Sequence, residues 1–127
     1  MTSSFQTNDS SPLEETGRLL RLIADDTRRQ IHKWTALSLF LDSSSVLTPA
    51  AQHATLILAK DAMTVLRSML ACAKEAIRCF RKRRYDRCLR SLERFDGLHH
   101  TLEAIDQKAA HTILRSIFER GSYGRNH

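Results

Sequence analysis

The chain is predicted to be all-α, an elongated antiparallel three-helix bundle with frayed N- and C-terminal tails, and three observations carry that prediction. Apolar residues recur at three- and four-residue steps through most of the chain. Helix-start signatures stand at Ser11-Pro12 and Thr48-Pro49. Strand signals are missing: the β-branched residues are scattered, and the one turn dipeptide, Asp96-Gly97, is flanked by helical period.

The first helix opens on Ser11-Pro12-Leu13-Glu14, which combines an N-cap hydroxyl, Pro at the first helical position and Glu three residues after the cap. From there Leu20, Ile23, Thr27, Ile31, Trp34, Leu37 and Leu41 form an inward stripe, and Asp25, Asp26, Arg28, Arg29 and Lys33 take the other face. Trp34, on that stripe, is expected as a core anchor. The pattern runs to about Asp42 and yields to Ser43, Ser44 and Ser45, whose hydroxyls compete for backbone hydrogen bonds and favour a loop.

The second helix starts at Thr48-Pro49 and meets no break until past Phe80. Its apolar set is wide, and with alanines at 59, 62, 73 and 76 more than one face must be covered, so it is expected at the centre. A central helix in a three-helix bundle is covered on only two sides. Leu56, Met63 and Leu70 are therefore singled out as an apolar surface for a partner's helix or a second copy of the chain.

Arg81-Lys82-Arg83-Arg84 contains no apolar residue and is read as a tight turn, after which Tyr85-Asp86 begins a third periodic segment with Asp86 favourably placed at a helix N-terminus. That segment continues to Ile117. Gly97 either weakens it, by about 1 kcal/mol relative to Ala, or divides it, with a fourth helix starting near Leu98. Gly121 is read as the stop. The expected organisation is a disordered tail over 1–11, one helical-bundle domain over 12–120 with helices of about 30 to 35 residues, and a second tail over 121–127.

Composition narrows the class further. With 127 residues, 42% hydrophobic and 27% charged, collagen-like, disulfide-scaffold and low-complexity chains are excluded. The longest uncharged stretch, Ser43 to Ala59, holds three serines, Thr48 and Pro49 and is no membrane span, so no membrane partner is expected. Residues 1–11 carry neither a basic segment nor an apolar run, and an intracellular location, cytoplasmic or nuclear, is expected. The odd count of three cysteines points to free thiols. Cys72 and Cys79 share an apolar helical face, while Cys79 and Cys88 flank the arginine turn symmetrically and would oppose each other across it.

Charge is the most informative feature. Between Arg78 and Arg94 stand eight basic residues, Arg78, Arg81, Lys82, Arg83, Arg84, Arg87, Arg90 and Arg94, against Asp86 and Glu93. The remaining 12 basic and 12 acidic residues cancel, so the whole formal charge of +6 sits at one helix–helix corner. Guanidinium groups bind phosphates bidentately and release counterions, so these eight residues are a candidate polyanion-binding set. An acidic protein surface or a nuclear-import signal are the other uses of such a run. Tyr85 and Phe80 flank the run; Phe80 is assigned to packing. No helix-turn-helix, zinc-finger or RNA-binding strand motif accompanies it.

Catalytic patterns are not found. His99 and Glu103 share a helical face without a third ligand, so no metal is expected. The four glycines are isolated, and no serine or cysteine is paired with a base. The chain is thus expected to be no enzyme, with no cofactor and no small-molecule substrate. Two functional readings follow, in this order. The first is a non-enzymatic interaction or regulatory protein, an adaptor, chaperone or regulatory subunit, that binds a protein partner or forms a homodimer. The alternative is a regulatory protein that binds DNA or RNA backbone through the basic corner, in transcription or in virus-like suppression of nucleic-acid pathways.

Overall fold

The computed structural model describes residues 11–125, and the side chains of 11–120. These residues form three helices, α1 over Pro12–Ser43, α2 over Pro49–Arg81 and α3 over Tyr85–Arg125, with no strand among them. The fold is the all-α three-helix bundle that the periodicity predicts. Both proline-bearing starts are capped as expected. Ser11 Oγ accepts the Glu14 amide at 3.1 Å, and Thr48 Oγ1 accepts the Ala51 amide at 3.2 Å.

The third helix differs from expectation. It passes through Gly97 without a break, so no fourth helix starts at Leu98, and it includes Gly121, reaching 41 residues. The physical reason is magnitude. A helical glycine costs about 1 kcal/mol, whereas Leu98, Leu102 and Ile105, just beyond Gly97, pack on the main core and each contribute about that much or more. Of the expected tails over 1–11 and 121–127, residues 121–125 belong to α3, and residues 1–10 and 126–127 lie outside the described residues.

The buried residues of α2 step by four and three, Thr55, Ala59, Ala62, Leu66, Met69, Ala73, Ala76, Cys79, which is the 3.5-residue seam of supercoiled helices. Four of these eight are alanine, so both neighbours can approach this helix closely. The main core gathers Trp34, Leu66, Met69, Leu102 and Ala109 around Ala59 and Ala62. A smaller core, Leu20, Ala76, Cys79 and Cys88, fills the end that carries the 82–84 turn. Residue numbers fall along α2 as they rise along α1 and α3, so α2 runs antiparallel to both. No Cα of α1 comes within 8 Å of one of α3 among the described residues, and the two outer helices are held apart by the one between them.

Side chains close the opposite end. Gln52 Nε2 donates to the carbonyls of Leu41, at 2.6 Å, and Asp42, satisfying the last turn of α1. Arg120 donates to the carbonyls of Ser45 at 2.7 Å and Leu47 at 2.9 Å, and the Thr48 amide donates to Ser116 Oγ, so α3 fastens the α1–α2 loop. No helix among the described residues is long and apolar enough to cross a membrane.

Candidate polyanion-binding surface

The basic end is built on a Schellman turn. After Arg81 the Lys82 amide still reaches the Arg78 carbonyl, the Arg83 amide donates to Phe80 at 3.0 Å, and the Arg84 amide donates to Cys79 at 2.8 Å. Arg83 occupies the left-handed position of this motif at φ 58°, the only non-glycine residue with positive φ among those described. Glycine is the usual occupant because an L side chain there crowds the following carbonyl. The turn thus projects Arg83 and Arg84 outward, and α3 then begins at Tyr85.

Beneath the turn lies an aromatic support. The Phe80 ring is half-buried among the smaller core and lies against Gly17, where an added Cβ would stand 3.5 Å from the ring. Tyr85 packs on Phe80 with ring centroids 5.7 Å apart and planes tilted by 58°, yet remains 46% exposed. Phe80 therefore packs, as the sequence suggests, and Tyr85 keeps part of its ring in solvent.

All eight residues of the predicted basic set are exposed, but they are not equivalent. Arg78 is engaged by Glu75 at 2.6 Å, and that hydrogen bond, followed by one from Cys79, holds the Glu75 carboxyl below the usual carboxylate range. Arg90 Nε lies 3.5 Å from the Asp86 carbonyl, at the limit of a hydrogen bond. Arg94, one turn past Arg90, stands outside the clefts described next. Among the described residues Arg81, Lys82, Arg83, Arg84 and Arg87 make no side-chain hydrogen bond or ion pair.

Three clefts run through this end. The first, of about 550 Å³, lies between α1 and α2 over Ala24 and Ile77, and its rim carries Arg21, Arg28, Lys74, Arg78, Arg81 and Lys82 against one carboxylate, Asp25. The second, of about 560 Å³, crosses the end of the bundle over Leu20, Ile77 and Phe80 and is flanked by Arg18, Arg21, Arg81, Arg83 and Tyr85, with one carboxylate, Glu14. The third, of about 390 Å³, follows the first turns of α3 from Arg83 and Arg84 to Arg87 and Arg90, with one carboxylate, Asp86. Asp25 is already engaged by Arg28 at 2.9 Å.

Four of these cations, Arg18, Arg21 and Arg28 of α1 and Lys74 of α2, are outside the run that the sequence singles out. The signal that would have found them is the mirror relation of an antiparallel pair. Leu20 shares one core with Ala76 and Cys79, and Trp34 another with Ala59 and Ala62, so α1 residues near 18–28 lie beside α2 residues near 70–80, as the lining of the first cleft shows. Counting charge along one strand of sequence conceals that juxtaposition.

The apolar surface expected at Leu56, Met63 and Leu70 is half-buried at all three positions. Met63 packs on the main core, and its Sδ lies 3.9 Å from Thr35 Oγ1 of α1. Large exposed apolar side chains lie mostly on the outer helices, with Ile57 on α2; Leu13, Leu19, Leu22 and Leu89 are toward the basic end, and Leu39, Phe40, Leu114, Ile117 and Phe118 are toward the end closed by Arg120. His99 Nε2 sits 2.8 Å from Glu103 Oε1 on the surface, and no group of three metal-ligating side chains is assembled among the described residues.

Compared with known proteins, the chain matches no family model, no curated protein and no solved structure, so its own geometry carries the functional argument.

Proposed function

We propose that the chain is a non-enzymatic regulatory protein that binds the phosphate backbone of a nucleic acid through its basic end. The observation that carries this reading is the convergence of eleven cations from all three helices and the turn on adjoining clefts that hold three carboxylates, Glu14, Asp25 and Asp86, of which Asp25 is engaged by Arg28. Unpaired guanidinium groups at close spacing repel one another, and a phosphate chain relieves that repulsion while releasing its own condensed counterions. Sequence reasoning ranks a protein partner first; the cations contributed by α1 favour the nucleic acid.

The test is a salt titration of the full chain against labelled DNA and RNA oligonucleotides. Binding should weaken steeply with salt, with a logarithmic slope that counts the phosphates engaged. The triple substitution Arg83→Glu, Arg87→Glu and Arg90→Glu should abolish binding with helicity unchanged. Absence of binding at low salt would overturn the reading.

A second reading, a protein partner or a second copy, is favoured by the exposed Leu39, Phe40, Leu114, Ile117 and Phe118. Light scattering on the free protein distinguishes it: an assembly that persists in high salt supports it, and a monomer at all concentrations argues against self-association.

A further inference from the structure

Resting on the polyanion reading, we infer that the ligand is a single strand of nucleic acid, bound in a track that folds back over the end of the bundle with Tyr85 as a base-stacking platform at its bend. The three clefts are continuous. The α1–α2 cleft and the end cleft share Arg21, Ile77 and Arg81, and the end cleft shares Arg83 and Tyr85 with the cleft on α3.

The path of this track follows from the helix directions. One limb descends from the end of the bundle between α1 and α2 as far as Arg28 and Lys74, about 15 Å along α1 from Arg18 at 1.5 Å per residue. The other descends from the turn along α3, about 7.5 Å from Tyr85 to Arg90 on the same rise. Because the helices are side by side, a chain that occupies both limbs reverses direction within roughly two interhelical distances, about 20 Å. A duplex has a persistence length of about 150 base pairs and cannot make that reversal, whereas a single strand bends at every nucleotide.

The bend is where the aromatic group stands. Tyr85 lines both the end cleft and the α3 cleft, is partly exposed, and is held from behind by Phe80 at 5.7 Å. A strand turning a corner must unstack there, and a fixed aromatic face restores the lost stacking without regard to base identity. Cations on either side then hold the flanking phosphates.

The test compares the affinity of the full chain for a single-stranded oligouridine, a duplex of equal length and inorganic polyphosphate, at one low salt concentration. The single strand is expected to bind tighter than the duplex. Tyr85→Leu, which keeps an apolar contact with Phe80, is expected to weaken the strand roughly 5- to 150-fold, the range for loss of one stacked base, and to leave polyphosphate unchanged. Tyr85→Phe should retain strand affinity, and the melting temperature of each variant controls for folding. Duplex binding equal to or tighter than the strand, or an equal loss toward strand and polyphosphate in Tyr85→Leu, overturns the single-strand inference while leaving polyanion binding intact. Absence of binding to all three probes overturns both.

Discussion

The Arg84 amide donates to the Cys79 carbonyl at 2.8 Å and closes a turn whose left-handed residue is Arg83. A local preference is thereby overridden, since glycine would hold the same φ of 58° without steric cost. Arg83→Gly should raise stability by about 1 kcal/mol, or about 4 °C in melting temperature for a chain of this size. The same substitution should weaken binding of a phosphate polymer and reduce its salt slope by about one unit. Thermal denaturation beside an oligonucleotide titration reads both. A variant that is both more stable and unimpaired in binding would remove Arg83 from the site.

A second stability gain is available at Gly97. It lies within α3 with no positive φ, and a Cβ built there meets nothing within 4 Å. Neither strain nor a close neighbour opposes a side chain, so Gly97→Ala should stabilise by about 1 kcal/mol through helix propensity alone. Chemical denaturation should show a higher midpoint with an unchanged slope. A loss of stability would mean that α3 bends at Gly97 in solution.

What could be read before the structure was set by range. Ser11, Pro12, Thr48 and Pro49 act within one turn of themselves, and they place two helix starts correctly. The α2 centre was legible too, because a wide apolar stripe requires two neighbours wherever they come from. Features that depend on distance along the chain were hidden. Arg120 reaching the carbonyls of Ser45 and Leu47, and Gln52 capping α1, join residues with no local pattern to announce them. The candidate site divides the same way: its contiguous arginines were visible, while Arg21, Arg28 and Lys74 joined them only through the antiparallel pairing of α1 and α2. At the apolar surface expected on α2, Leu56, Met63 and Leu70 are half-buried, a degree of cover that depends on how closely α1 and α3 approach and so has no local signal in the sequence.

The thiols divide by burial. Cys79 and Cys88 are buried in the small core beneath the basic turn, whereas Cys72 is half-buried. Burial pushes the Cys88 thiol up, and interaction with Cys79 adds to the shift, so its nucleophilic thiolate is scarce at neutral pH. Native protein treated with a maleimide near pH 7 should therefore be modified first at Cys72, with Cys79 and Cys88 reacting only on unfolding, as mass spectrometry of the digested adduct would show. The raised value also fixes a sign for stability. The folded chain keeps the Cys88 proton where the unfolded chain has lost it, so this contribution is full below the ordinary thiol range and is lost as pH rises through the folded value. Cys88→Ala should flatten that alkaline fall in a denaturation series, at the cost of a small cavity beside Cys79. Should the fall keep its full depth in Cys88→Ala, another group on this chain would have to be its source.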